Sequence, residues 1–278
     1  MRRSVLLLLT VAAALGAAAP AAAPKPGLWG RYLLAYASCD ATSSCRQELA
    51  QSRDGIRWAS VVGFVKRPGQ HPVAVRRGNR LYVFDGLAVR RFTIGARSLN
   101  ELAPATVSLD SSVPPDWIDV LLEPSGGLVL LYAVPSETGG LAVRTATEQA
   151  GSDGTVFVTD PGDRAILDTA VGPVSVLRGR SGWVGLGADG ECLRTLAAGN
   201  LRGTYRDTGC LTTPSPVSTP TGWWNARLRE YWLYGVADGV VRRATATKVI
   251  VPLRASRFRP LRGLGAGRTI ASARFSGL

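Results

Sequence analysis

Few residues of this chain have side chains suited to acid–base chemistry at the start of a strand. The one histidine, His71, precedes a proline and an apolar run, where it can act in a site or bond backbone groups at a strand end. Asp116 and Asp119 lie three positions apart in another such run. Because side chains alternate between the two faces of an extended segment, these carboxylates point to opposite sides and cannot form a pair. His71 and Asp116 are therefore the catalytic candidates, and Asp119 is assigned to a hydrogen bond in packing.

Three tryptophans join His71 and Asp116 as candidates for ligand binding. Trp117 directly follows Asp116, and Trp223 and Trp224 are adjacent to each other. Indole rings stack on sugar rings, but large aromatic side chains also fill the spaces between packed sheets. We expect packing for at least two of the three.

The four cysteines are expected to form two disulfides rather than a metal or redox site. The sequence has no C-x-x-C pair and a single histidine, which leaves too few ligands for zinc. Nearest-neighbour pairing joins Cys39 to Cys45 and Cys192 to Cys210, and it closes two short loops. Chain-entropy arguments give each bridge about 2 to 3 kcal/mol of stabilisation.

The N-terminus has the pattern of a secretory signal peptide. Arg2 and Arg3 precede a mostly apolar run from Val5 to Ala19, which is shorter than the roughly 20 residues of a spanning helix. Small residues follow, and cleavage after Ala21 satisfies the small-x-small rule. We therefore expect a signal peptide at 1–21, a lead-in at 22–29 and an exported chain, secreted or periplasmic, with no membrane span.

The chain carries a formal net charge of +13, almost entirely from arginine. An excess of arginine suits an acidic partner such as a glycan or an anionic envelope polymer. The alternative is an arginine-rich surface without a dedicated partner, because the arginines are scattered along the sequence. Basic residues do not alternate with aromatic ones and no nucleic-acid-binding module is recognisable, so nucleic acid is not expected as a partner. No cofactor is indicated, and a monomer is expected.

A repeating unit organises the rest of the chain. Short apolar strands alternate with turns rich in Gly, Pro, Ser and Asp, which is typical of an all-β fold. A turn followed by an apolar-aromatic strand recurs five times, at intervals of 48 to 53 positions. The equivalent positions are Tyr32, Tyr82, Leu130, Trp183 and Trp232. Four short antiparallel strands in each unit of this length indicate a five-bladed β-propeller.

The two ends of the repeat predict how the ring closes. The first unit lacks its leading strand, and the C-terminal stretch "GRTIASARFSGL" is a surplus strand. We expect it to supply the inner strand of the first blade, which leaves no open edge and makes residues 30–278 a single domain. The stretch "LTTPSPVSTPTG" (211–222) is expected to be an irregular connection, so that blade five opens with "TGWWNA".

Two turn motifs suggest a family. They are S-x-D-G-x-x-W, at Ser52, Asp54, Gly55 and Trp58, and a shorter D-G-x-x-F, at Asp153, Gly154 and Phe157. With inner strands that open x-P-V, they resemble the five-bladed propeller glycosidases of the arabinanase and β-xylosidase type, over nearly the whole mature chain. The resemblance implies a funnel at the ring centre with an Asp base, a second Asp that tunes pKa and a Glu acid, each at the start of a successive inner strand.

The chain departs from that family at two of the three catalytic positions. The stretch "VGPVSVL" resembles the family's Glu-Gly-Pro strand, with Val171 in place of the Glu. One blade earlier, Asp116 or Asp119 stands at the tuning position, and another blade back His71 stands where the base would be. Shifting the alignment by one blade recovers no triad.

These observations favour a secreted, non-catalytic propeller that binds a glycan or cell-envelope component at its central funnel. The alternative is a glycoside hydrolase with rearranged acids, which would use Asp116 with His71 or another carboxylate. A scaffold for protein partners is a further alternative that has no marker in the sequence.

Overall fold

The computed structural model describes residues 28, 30–96, 98–190, 192–213, 216–247, 259–261, 263–264 and 269–277. The predicted signal peptide at 1–21 lies outside the described residues, as does the predicted lead-in at 22–29 apart from residue 28. The regular elements of the described part are β-strands. Among these residues there is no helix with the length and apolar character needed to cross a membrane.

The described residues form 23 strands. In chain order they are β1 (Tyr32–Cys39), β2 (Cys45–Ser52), β3 (Ala59–Ser60), β4 (Val73–Arg77), β5 (Arg80–Asp85), β6 (Ala88–Ile94), β7 (Leu99–Glu101), β8 (Ala105–Thr106), β9 (Ser108–Leu109), β10 (Trp117–Leu122), β11 (Leu128–Pro135), β12 (Leu141–Glu148), β13 (Val156–Thr159), β14 (Ala165–Leu167), β15 (Ser175–Arg178), β16 (Trp183–Asp189), β17 (Cys192–Ala198), β18 (Arg206–Thr212), β19 (Ser218–Asn225), β20 (Glu230–Ala237), β21 (Val240–Ala246), β22 (Arg259–Pro260) and β23 (Thr269–Gly277).

These strands form five sheets, one for each predicted repeat. The order is β23-β1-β2-β3 in blade one, β4-β5-β6-β7 in blade two, β10-β11-β12-β13 in blade three, β15-β16-β17-β18 in blade four and β19-β20-β21-β22 in blade five. Three short strands extend this scheme, since β8 pairs with β6, β14 with β12, and β9 runs parallel to β13. The prediction of a five-bladed propeller with four antiparallel strands per blade is confirmed.

The C-terminal strand closes the ring. Strand β23 pairs antiparallel with β1, from Tyr32 opposite Gly277 to Cys39 opposite Thr269, with one register shift after Ala37. It thereby becomes the inner strand of blade one, as the surplus strand in the sequence predicts. Blade one is thus built from both ends of the propeller.

The hydrophobic core lies between neighbouring blades. The second strand of a blade is covered on both faces, so it reads as a continuous apolar run rather than an alternating one, as in "LVLLYAV" of β11. Aromatic side chains fill the spaces between sheets. Phe84 of blade two meets Phe157 of blade three with ring centroids 6.4 Å apart, and Tyr234 of blade five stacks on Phe275 of blade one at 4.5 Å.

Strand direction defines two faces of the ring. The inner strands β23, β4, β10, β15 and β19 all begin on one side, which we call the mouth face. This face also carries the turns between the second and third strands of each blade. The opposite side, the base face, carries the turns between first and second strands and between third and fourth strands.

Both predicted disulfides are present. Cys39–Cys45 joins the ends of β1 and β2 with Cα atoms 4.0 Å apart, and Cys192–Cys210 joins β17 to β18 with Cα atoms 5.6 Å apart. The nearest-neighbour pairing is confirmed. Asp189 has a carboxylate oxygen within 4.8 Å of both sulfurs of the second bridge. Oxidised cysteines offer no thiolate to a metal ion, so this group is a poor ligand set.

The S-x-D-G-x-x-W turn fixes the contact between blades one and five. The Asp54 carboxylate accepts two backbone hydrogen bonds within the turn. Gly55 has a φ of 71°, and a Cβ atom there would lie 2.2 Å from Cζ3 of Trp232. The Tyr234 hydroxyl donates to the Gly55 carbonyl at 3.1 Å. This motif is therefore explained by packing and turn geometry.

The variant Gly55→Ala is expected to lower the free energy of unfolding by about 2 to 4 kcal/mol, from left-handed backbone strain and the clash with Trp232. Gly78→Ala is the matched control, because Gly78 has a φ of 58° with no atom within 4 Å of a built Cβ. Its expected cost is about 1 kcal/mol. Urea denaturation of both variants measures the difference, and equal costs would contradict the packing argument.

Candidate functional site

The inner strand of each blade leaves one edge facing the ring centre, and side chains from other blades bond these edges. Thr219 Oγ1 of blade five accepts a hydrogen bond from the Ala273 amide of blade one at 3.3 Å. Asp119 Oδ2 of blade three accepts one from the Val176 amide of blade four at 3.3 Å. Because buried backbone groups are costly when unpaired, these bonds stabilise the inner wall of the ring.

Two opposite charges are buried at the ring centre. Asp119 is 3% exposed and Arg274 is 7% exposed. Arg274 donates from Nη1 to the carbonyl of Pro220 at 3.0 Å and from Nη2 to that of Pro173 at 3.5 Å. Pro220 lies on the inner strand of blade five and Pro173 just before the inner strand of blade four, whereas Arg274 belongs to blade one. The guanidinium therefore reaches across the centre and ties three blades together.

Burial governs the titration of both groups. It raises the pKa of Asp119, and the field of Arg274 opposes that rise. Burial also lowers the pKa of the Arg274 guanidinium, and Asp119 opposes that fall. Within the described part of the chain no carboxylate oxygen lies within 4.0 Å of Arg274, so the two charges attract across a gap rather than in direct contact. Each charge compensates the other in a poorly solvated environment.

The described residues of the five inner strands do not contain the pair of carboxylates that glycoside hydrolysis uses. Among the described residues of the five inner strands, Asp119 is the single acid. Its oxygens accept hydrogen bonds from the amides of Val120 and Val176. A hydrolase needs one protonated and one ionised carboxyl on either side of the bond. Asp119 alone, bonded and sealed, does not meet that requirement.

His71 lies exposed on the mouth face, on a segment held by a carboxylate that sequence reasoning did not identify. Asp85 accepts hydrogen bonds from the His71 and Gln70 amides, each at 3.0 Å. On the other side, the Ser272 hydroxyl donates to the Gln70 carbonyl. These contacts hold the segment that carries His71 against β23. The sequence signal for Asp85 is the "DG" that ends the aromatic strand β5.

The environment of His71 favours the neutral imidazole. Partial burial lowers the pKa of His71, Asp85 raises it and Arg274 lowers it, with a net fall below the usual value. A neutral imidazole donates from one ring nitrogen and accepts at the other. His71 can therefore bind a hydroxyl group at neutral pH without a charge.

The three tryptophans lie in packing clusters between blades, whereas Asp116 is exposed on the mouth face, as His71 is. Asp116 is exposed just before β10 on the mouth face, with its amide bonded to the Ala133 carbonyl. Trp117 packs in the cluster between blades three and four. Trp223 and Trp224 lie in the second half of β19, toward the base face, and the Trp224 ring is 4.6 Å from that of Tyr231. The structure thus places all three tryptophans between blades.

The stretch "LTTPSPVSTPTG" is not wholly irregular, which corrects the sequence expectation. Strand β18 continues to Thr212, and β19 begins at Ser218 with a register shift before Thr221. Pro220 is tolerated because the free edge of an inner strand does not use its missing amide, and its carbonyl accepts from Arg274. Blade five therefore opens at Ser218, and "TGWWNA" forms the end of its inner strand.

A cavity of about 400 Å³ opens on the mouth face between blades four, five and one. Its walls include the start of β19 at Val217 and Ser218, and the start of β23 at Thr269 and Ile270. Asp238 supplies a carboxylate at its rim. This volume falls within the usual range of small-molecule sites. The cavity and His71 both lie on the mouth face.

A buried carboxylate supports the mouth face in blade one. Ser38 Oγ donates to Glu48 Oε1 at 2.5 Å, Tyr36 OH donates to Oε2 at 2.9 Å, and Lys66 Nζ lies 2.9 Å from Oε2. Burial alone would raise the pKa of Glu48, but bonds from Ser38, Lys66 and Tyr36 outweigh it and hold that pKa below 4.5. The folded state therefore binds a proton here less readily than the unfolded state.

This shift predicts a loss of stability in acid. A carboxyl whose pKa is lower in the folded than in the unfolded state stabilises the fold at pH values above the unfolded-state pKa, near 4.5. This stabilisation is lost as the pH falls through the folded-state pKa. We expect Glu48→Gln to be less stable than the parent at pH near 7, and the gap to narrow below pH about 4. Unfolding free energies of both proteins across this range test it, and a gap that stays constant with pH would contradict the assignment.

Comparison with solved structures finds the same architecture. A β-xylosidase aligns with a TM-score of 0.56 at 11% identity, over 87% of this chain and 96% of its own. An endo-arabinase from Bacteroides thetaiotaomicron aligns with a TM-score of 0.51 at 11% identity, over 82% and 94%. The chain has the fold of the five-bladed glycosidase propellers.

An engineered GH43 glycoside hydrolase with endo-xylanase and exo-arabinofuranosidase activity aligns with a TM-score of 0.56 at 14% identity. That match covers 83% of this chain, which spans half the length of the enzyme. At these identities the likeness concerns the fold. No protein-family profile and no curated protein matches the chain.

Proposed function

We propose that this is an exported, non-catalytic propeller that binds a glycan or another polar cell-envelope component at its mouth face. The observation that carries the proposal is the composition of the inner strands, where Asp119 has Arg274 as its counter-charge and no second carboxylate occurs among the described residues. A propeller that retains the architecture of a glycosidase funnel without its acid pair is suited to binding.

The mouth face supports the binding half of the proposal. It offers a neutral imidazole at His71, and a cavity with hydroxyl and carboxylate groups at Ser218, Thr269 and Asp238. These groups donate and accept hydrogen bonds in the way that sugar hydroxyls require.

The exported location is inferred from the N-terminal pattern, and the two disulfides are consistent with an oxidising compartment. N-terminal sequencing of the exported protein is expected to begin at Ala22.

Isothermal titration against neutral and acidic oligosaccharides, chosen from a glycan array, tests the proposal. We expect saturable binding that His71→Ala weakens about tenfold, the equivalent of one hydrogen bond. Asn79→Ala, an exposed change on the base face, is the control and should leave the affinity unchanged. Absence of binding to every class of glycan would contradict the proposal. Equal affinities for the two variants would contradict the place of the site.

A further inference from the structure

The base face of blades four and five carries exposed arginines without acidic partners. Arg178 ends β15 and Arg180 lies in the turn between β15 and β16, whereas Arg227 and Arg229 lie in the turn between β19 and β20. All four are exposed, and in the described residues none of the four has a carboxylate oxygen within 4.0 Å. Arginines elsewhere, such as Arg194 and Arg202, do form salt bridges.

A hydrogen bond holds these two turns side by side. The Arg180 amide donates to the hydroxyl of Tyr231, the second residue of β20, at 3.1 Å. The four arginines therefore form one patch rather than two separate ones, although the sequence sets them about 50 positions apart. Like charges that converge without counter-charges repel, so the patch favours an anionic partner.

Blade one packs beside the patch. The ring of Tyr32 lies 5.3 Å from that of Trp232 in blade five. Arg57 is also exposed on the base face, in the turn whose Gly55 carbonyl accepts a hydrogen bond from blade five. The Asp54 carboxylate lies close to Arg57. We call the set Arg178, Arg180, Arg227 and Arg229 the basic arc.

An apolar side chain stands at the tip of the arc. Leu228, between Arg227 and Arg229, is 57% exposed. A single exposed leucine needs no explanation, but one flanked by arginines has the composition of an interfacial membrane contact. The planar guanidinium binds a phosphate through two parallel hydrogen bonds, while the leucine can enter the boundary between headgroups and acyl chains. A soluble acidic polymer would make use of the arginines only.

We propose that the basic arc docks this protein on a membrane surface rich in anionic phospholipids. The arginines bind lipid phosphates and Leu228 enters the interface. Since the base and mouth faces are opposite, docking leaves the mouth face open to the surroundings. This contact is peripheral, and it does not depend on the function proposed for the mouth face.

Sedimentation with vesicles tests the proposal. We expect the protein to bind vesicles that contain phosphatidylglycerol and not those of phosphatidylcholine alone, and salt should weaken the binding. Arg227→Gln should reduce affinity about fivefold, and the combined change of Arg178, Arg180, Arg227 and Arg229 to Gln more than about 100-fold. Arg46→Gln is the matched control, because Arg46 is exposed on the mouth face and the change in net charge is identical.

Insertion of Leu228 is measured separately. The described cysteines all lie in disulfides, so Leu228→Cys can be labelled with a polarity-sensitive dye. We expect its emission to shift on addition of phosphatidylglycerol vesicles. No binding to these vesicles, or equal losses in Arg227→Gln and Arg46→Gln, would overturn the proposal. Binding of soluble polyglycerol phosphate through the same arginines, with no dye shift on vesicles, would assign the arc to a polymer and overturn it also.

Discussion

Arg274→Leu is expected to lower the free energy of unfolding by about 3 to 5 kcal/mol, the usual cost of removing one partner from a buried pair. The substitution leaves Asp119 buried without its counter-charge and removes the donors to the Pro220 and Pro173 carbonyls. Urea denaturation with matched protein concentrations measures the loss.

The double variant Asp119→Asn, Arg274→Leu separates charge from packing. If the charges compensate each other, the double variant is more stable than Arg274→Leu alone, because no buried charge remains. A loss below about 1 kcal/mol for Arg274→Leu would show that solvent reaches the ring centre. That result would contradict the burial of this charge pair.

Phe275→Ala is expected to cost about 3 to 5 kcal/mol, within the range for large aromatic residues in a core. Phe275 is 8% exposed and lies on the closing strand β23, where its ring stacks on Tyr234 at 4.5 Å and meets Trp58 at 6.1 Å. Its loss removes the aromatic contact between the C-terminal strand and blade five. Ring closure therefore weakens together with the core.

Ala271→Ser is the control for Phe275→Ala, because Ala271 lies on the same strand and is exposed. Its effect is expected within about 0.5 kcal/mol. Thermal unfolding and hydrogen exchange of the β1 amides report both changes. If Phe275→Ala is as mild as Ala271→Ser, the closing strand does not carry the stability assigned to it.

The repeat pattern was sufficient to predict the blades because every blade must bury its second strand in the same way. A second strand covered on both faces must be apolar and aromatic, which makes Tyr82 and Trp232 recognisable at equal phase. The ring closure followed from counting strands, since one unit lacked a leading strand and the C-terminus had one to spare. Disulfide pairing was predicted separately, from nearest-neighbour pairing of the cysteines.

The ring centre could not be predicted from the repeat. Sequence reasoning favoured Asp116 as the acid that points inward, whereas the structure places Asp119 at the centre and leaves Asp116 exposed. Alternation along the strand shows that the Asp116 and Asp119 side chains point to opposite sides. It does not show which of the two sides faces Arg274, which is 155 positions from Asp119 in the sequence. Similarly, Pro220 in a low-complexity stretch signalled a loop, because the free edge of an inner strand is visible only once the ring is assembled.

The most direct test of the central claim is to incubate the protein with arabino- and xylo-oligosaccharides and follow both binding and product by NMR. We predict shifts of ligand resonances with no new reducing ends, in the parent and in Asp116→Asn alike. Steady release of shorter sugars by the parent, abolished in Asp116→Asn, would contradict a non-catalytic propeller and assign the mouth face to hydrolysis.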